Sequence, residues 1–170
     1  MKWIGAICII LATTWSGFEA SRLLRERTKQ LRQLKMALQL LEAEIMYGHT
    51  PLIDASLRLS QQLSRPLSWL FESFAHKLQK GTMNARQAWE ESLHEVWKMT
   101  ALKEGEFEIM KQFGETLGQY DHEIQQNYIR LTMVHLEREE GDAMEKQQRY
   151  EKMMKSLGVL TGILIVLLLI

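Results

Sequence analysis

Two uncharged stretches enclose a long amphipathic middle. Trp3 to Phe18 reads WIGAICIILATTWSGF, sixteen residues without a charge. As a helix it would rise about 24 Å, slightly under a hydrocarbon core of about 30 Å. Trp3, Trp15 and Phe18 sit near its ends, where aromatic rings favour the membrane interface. Leu157 to Ile170 reads LGVLTGILIVLLLI and is apolar on every helical face. With Met153 and Met154 added and Lys155 snorkelling, this second run approaches the length of a span. Both read as membrane segments. Bulky Phe18 two residues before Ala20, and the arginines that follow at once, argue against a cleaved leader.

Between them the apolar residues recur at helical spacing. Leu24, Leu31, Leu34, Leu38, Leu41 and Ile45 form a stripe with intervals of three, four and seven. Gly48 predicts a helix stop, and Thr50-Pro51 predicts a restart with Thr50 as N-cap. That helix runs to about Gln62. Pro66 opens a third helix with Leu67, Leu70, Phe71, Phe74 and Leu78 on one face, and Gly81 ends it. Asn84 and Gln87 predict a capping box for a fourth, whose stripe is Ala85, Ala88, Trp89, Leu93, Val96 and Trp97. A fifth carries Phe107, Met110, Phe113, Thr116 and Leu117 and stops at Gly118. Asp121 caps a sixth, with Ile124, Tyr128, Leu131 and Val134 predicted to face inward. The fold class is therefore all-α: an antiparallel six-helix bundle with extended first and last helices running into membrane segments at both chain ends. The divisions are 1–20, an N-terminal anchor; 21–155, a cytoplasmic helical bundle; and 156–170, a C-terminal membrane segment. Charge-rich Arg22 to Gln33 and Glu137 to Asp142 predict a two-helix stalk, with Lys35 near Glu140 and Arg32 near Ala143.

Charge settles orientation and removes one class of partner. Lys+Arg and Asp+Glu both number 21, so there is no basic excess for a nucleic acid. Arg22, Arg25, Arg27, Lys29, Arg32 and Lys35 follow the first apolar run, while Lys146, Arg149, Lys152 and Lys155 precede the second. Positive-inside logic puts both collars and the middle domain in the cytoplasm, with both termini on the far side. The collars, above all Arg22, Arg25, Arg27, Lys29, Arg32, Lys152 and Lys155, also suit anionic headgroups of the lipid bilayer.

Candidate chemistry is sparse. His94-Glu95 and His122-Glu123 each lack the second histidine of a metalloprotease helix. Glu91 and His94 make one Glu-x-x-His unit where a di-iron bundle needs two. Gly114 and Gly118 are not followed by the Lys-Ser/Thr of a phosphate loop. The single cysteine, Cys8, lies in an apolar run and offers neither a disulfide nor a sensible nucleophile. The expectation is a chain that is not an enzyme and needs no metal or cofactor.

The order of features carries a resemblance. An N-terminal anchor, a basic helix, LEAEIMYGHTPL (Leu41 to Leu52), FGETLGQYDHEIQ (Phe113 to Gln125) and an apolar tail together resemble the stage III sporulation protein AB family. The two internal motifs are also similar to the cytoplasmic domain of the general secretion pathway platform protein F and its pilus counterpart. The resemblance implies a membrane platform in a sporulation-specific, secretion-like assembly at the mother-cell membrane around the forespore. It implies as partner a secretion-type ATPase, stage III sporulation protein AA, with other proteins of the same assembly; self-association is an open alternative beside them. Gly48, Thr50 and Pro51, with Phe113, Gly114, Leu117, Gly118, Asp121 and Gln125, match the family pattern. They read first as helix stops, caps and a close helix contact, and second as a partner surface. One such domain and two apolar segments cannot alone reproduce the two-domain secretion platform. The alternative function is a membrane-anchored helical regulator or sensor that binds a soluble partner or small ligand.

Overall fold

The computed structural model describes the backbone of residues 2–46, 50–118 and 122–169, with side chains for 19–44, 50–118, 123–154 and 156–157. Among the described residues the regular structure is all helical, with no strand. The elements are α1 (Lys2–Met46), α2 (Leu52–Gln62), α3 (Leu67–Lys80), α4 (Ala85–Trp97), α5 (Glu104–Gly114) and α6 (His122–Leu169). The chain divides into two compact units. One joins Met1–Thr28 with Gly141–Ile170, and the other is Lys29–Glu140.

In the second unit, the short helices pack in chain order, α2 on α3, α3 on α4 and α4 on α5. The stripes read from the sequence supply the core. Leu31, Leu34, Leu38 and Leu41 of α1 are buried, as are Leu67, Leu70, Phe71 and Phe74 of α3. So are Ala88, Trp89, Leu93 and Val96 of α4, and Phe107, Met110 and Phe113 of α5. Trp89 is the centre. It makes edge-on contacts with Phe71, Phe74 and Phe113 at centroid distances of 5.6, 5.1 and 5.5 Å. Its indole N–H donates to the Met110 carbonyl at 2.7 Å, so the polar atom of the largest core side chain is satisfied. Each edge-on pair adds about 1 kcal/mol beyond area burial.

The helix ends follow local chemistry. Asn84 accepts the Gln87 N–H at 2.9 Å and Gln87 reaches back to the Asn84 N–H at 3.4 Å, forming the expected capping box. Gly81 ends α3 at φ 66°, and Gly118 stands at φ 80° after the turn that follows α5. The start of α2 differs from expectation. Pro51, not Thr50, holds the N-cap position, and its carbonyl accepts the Ala55 N–H at 3.0 Å. The Thr50 hydroxyl donates instead to Glu44 Oε2 at 2.6 Å. That bond to a charged acceptor fixes the hydroxyl on the α1 side, and α2 starts without a side-chain cap.

The largest departure lies in α6. Ile124, Tyr128, Leu131 and Val134 do not face inward: they are 44, 46, 51 and 61 % exposed. Gln125, Ile129, Thr132 and Leu136 are buried in their place. The helix is turned by about one residue, roughly 100°. Thr132 tolerates burial because its hydroxyl donates to the Tyr128 carbonyl at 2.8 Å.

Within the same unit α1 and α6 run antiparallel. Glu42 accepts from Gln126 at 2.8 Å and from Arg130 at 3.0 Å. Lys35 reaches Glu137 at 3.4 Å and Glu140 at 3.1 Å, and Arg32 donates to Glu140 at 2.7 Å. The Lys35–Glu140 meeting is the expected one, while Arg32 shares that same carboxylate. Gln30 of α1 accepts the Ala101 N–H at 2.8 Å, tying α1 to the α4–α5 connection.

The first unit gathers the two ends of the chain. Leu23, Met153 and Leu157 are exposed there, and Arg27 is buried. Among the described residues, no helix is long and apolar enough to cross a membrane. The side chains of the two uncharged runs, Cys8 included, lie outside the described residues except for Leu157.

Candidate interaction surface

The rotation of α6 creates a surface feature. Ile124, Tyr128 and Leu131 recur at intervals of four and three, and the spacing continues through exposed His135 and Arg138. Val134 widens this stripe on one side. On the other side, the space between α5 and α6 is a groove of about 370 Å³. Ile109, Gln112 and Phe113 of α5 form one wall, and Tyr128, Leu131, Thr132 and His135 of α6 form the other. Arg86 and Glu115, paired at 3.0 Å, close one end. A contiguous half-exposed apolar strip rimmed by charge is the usual chemistry of a protein contact.

A second feature surrounds the start of α2. Glu44 accepts from Thr50 and is approached by Arg58 Nη1 at 3.2 Å. The Thr50 hydroxyl first, and then Arg58, hold the Glu44 carboxyl below its ordinary range. Nearby in sequence, the Arg65 guanidinium lies over the Trp69 ring at 5.0 Å. Arg58 and Arg65 are both exposed.

Most of the motif residues named from the sequence do structural work. Phe113 packs on Trp89 and also lines the groove. Gly114 lies directly beneath the same ring: a Cβ there would collide with Trp89 Cδ1. Leu117 and Gln125 are buried, and Gly118 supplies the positive φ that ends the α5 turn. Thr50 and Pro51 hold the α2 start. Gly48 and Asp121 lie outside the described residues, as does the Lys155 side chain. Of the remaining collar, Arg22, Arg25, Lys29 and Lys152 are exposed, Arg27 is buried, and Arg32 is engaged by Glu140.

The α6 stripe escaped the sequence reading, although a signal was present. Residues 124–136 contain more apolar positions than one buried face needs, and two stripes offset by one residue compete for it. Two further ion-pair groups are built from exposed or half-buried side chains. Lys77 donates to Glu95 at 2.9 Å, and this bond, with one from Ser73, holds the Glu95 carboxyl below its ordinary range. At Glu140, burial alone would raise the pKa, but Arg32 and Lys35 together outweigh it and lower it. At Lys35, burial alone would lower the pKa, but Glu140 and Glu137 outweigh it and raise it. Among the described residues, no group of three or more His, Cys, Asp or Glu could hold a metal ion.

Comparison with known proteins places this arrangement. The sequence model described as stage III sporulation protein AB matches residues 2–170. The chain belongs to the stage III sporulation protein AB family. It is 53 % identical over 169 residues to stage III sporulation protein AB of Bacillus subtilis (strain 168), covering 99 % of each chain. It is also similar to a solved structure of stage III sporulation protein AB, with a TM-score of 0.70 at 52 % identity. That similarity covers 73 % of this chain and 98 % of the other. Membership in the stage III sporulation protein AB family agrees with the resemblance carried by Leu41–Leu52 and Phe113–Gln125. The family is one of sporulation proteins.

Proposed function

We propose that this chain is a non-enzymatic scaffold of a sporulation-specific, secretion-like complex. In this reading the uncharged runs at 3–18 and 157–170 insert in the mother-cell membrane around the forespore, and the antiparallel helical bundle faces the cytoplasm. Its partner is the cognate secretion-type ATPase, stage III sporulation protein AA. The observation that carries the reading is the half-exposed stripe Ile124, Tyr128 and Leu131 of α6, an apolar surface on a chain of this family that is suited to protein contact. Family membership and the basic residues flanking both uncharged runs support the sporulation and membrane parts.

Arg58 and Arg65 are the residues through which the ATPase docks. Both are exposed cations, Arg58 in α2 and Arg65 just after it. The full-length protein in lipid nanodiscs should bind the purified ATPase at micromolar concentrations, and binding should weaken as salt rises. Arg58→Glu with Arg65→Glu should weaken it by about tenfold. Binding that ignores both salt and the double variant would sink this docking site. The second reading, a helical regulator with a small ligand, is favoured by the α5–α6 groove, whose volume of about 370 Å³ is within the range of small-molecule sites.

A further inference from the structure

We infer that the exposed face of α6 pairs with α6 of a second copy of this chain, antiparallel, about a two-fold axis at Leu131. The inference goes beyond ATPase docking and rests on the scaffold reading only in taking the stripe to be a protein contact. The first argument is spacing. Ile124, Tyr128, Leu131, His135 and Arg138 follow intervals of four, three, four and three, the seam of a helix pair rather than of a flat patch. The stripe is long enough for it: the fourteen steps from Ile124 to Arg138 rise about 21 Å.

The second argument is self-complementarity. A two-fold axis at Leu131 sets Leu131 against its own counterpart and brings Tyr128 opposite Val134 of the other copy. Asn127 meets His135, and Ile124 meets Arg138. The aliphatic stem of Arg138 covers Ile124 while its guanidinium reaches Glu123 of the second copy. The one cation of the seam thus meets a carboxylate at each end, and the apolar residues fall in the middle. A symmetric, isologous interface of this kind closes at two copies. The exposures of Ile124, Tyr128, Leu131 and Val134, 44 to 61 %, leave area to bury without unfolding α6. Glu42 and its partners Gln126 and Arg130 lie on the α1 side of α6, so the pairing does not require breaking them.

The test uses the full chain in detergent and in membranes, with Cys8→Ser as background. Leu131→Cys should form an intermolecular disulfide on mild oxidation, because only a residue on the axis meets itself. Gln79→Cys, exposed on α3, should not. Sedimentation should report a dimer, and Leu131→Asp should raise its dissociation constant on the order of a hundredfold by placing two carboxylates in one seam. Helical circular dichroism should stay unchanged, since Leu131 is half-exposed. Glu123→Arg should weaken the dimer, and Arg138→Glu added to it should restore it. A monomer at about 50 µM, a dimer indifferent to Leu131→Asp, or equal cross-linking at Gln79→Cys would overturn the pairing. Loss of ATPase binding in Leu131→Asp from a monomeric parent would overturn it too, and assign the stripe to the ATPase. Failure of the dimer with Arg58-dependent docking intact would leave the scaffold reading standing.

Discussion

Gly114 and Gly118 stand four residues apart and are held to glycine by different forces. At Gly114 the constraint is space: an added Cβ would overlap Trp89 Cδ1 and lie 3.0 Å from two further ring atoms. Trp89 cannot step aside, because three aromatic contacts and the Met110 hydrogen bond fix it. At Gly118 the constraint is the backbone, φ 80°, and an added Cβ would lie 3.3 Å from Ala85 Cβ. Gly114→Ala should therefore cost about 3 kcal/mol through overpacking. Gly118→Ala should cost about 1 kcal/mol through strain. Denaturant unfolding followed by tryptophan fluorescence would rank them, and a Gly114→Ala protein as stable as its parent would show that the α4–α5 contact is looser than described. The sequence marked both glycines as helix stops or close contacts, but the ring over Gly114 could not be read there. Contact between residues 89 and 114 depends on how α4 folds back along α5, and local periodicity does not encode that.

At the scale of elements, the long helices carry most of the information that pattern reading missed. The stripes of α1, α3, α4 and α5 were legible because each has one apolar face and a clear stop. In α6 two stripes differ by a single residue, and a ranking by hydrophobicity chose Tyr128 and Leu131 over Gln125 and Thr132. The outcome turned on hydrogen bonding, since a threonine satisfied by its own helix costs little to bury. Cross-helix ion pairing was partly legible: counting along helices brought Lys35 to Glu140, and the coordinates put them 3.1 Å apart.

That cluster gives a pH dependence with a definite sign. Glu140, Glu95 and Glu44 are depressed below an ordinary value of 4.5. The stability they contribute is present above that value and is lost as pH falls through the lower folded values. Lys35 is raised above 10.5, so its contribution is present below that pH and is lost as pH rises through the higher folded value. Glu140→Gln removes the partner shared by Arg32 and Lys35. Melting temperatures measured across pH should show shallower acid and alkaline limbs in this variant than in the parent. Superimposable profiles would mean that solvent screens the cluster to insignificance.

For the molecule as a whole, the account joins a sporulation-family helical unit, a proposed membrane attachment at both ends and a proposed partner surface. The attachment predicts topology: with Cys8→Ser, a cysteine at Gln79 should resist impermeant reagents in intact cells and label after permeabilisation. Ready labelling in intact cells would place the helical unit on the wrong side. The all-helical class, the six helices and the family were legible from residue patterns, whereas the α6 surface was legible only in the structure.

Docking of the ATPase at the membrane is the central claim, and site-specific photo-cross-linking in sporulating cells tests it most directly. A photoreactive residue would replace Arg58 or, separately, Glu72, an exposed position on α3. The account predicts a cross-link from position 58 to stage III sporulation protein AA that is several-fold stronger than from position 72. No cross-link from position 58, in cells where both proteins accumulate normally, would contradict it.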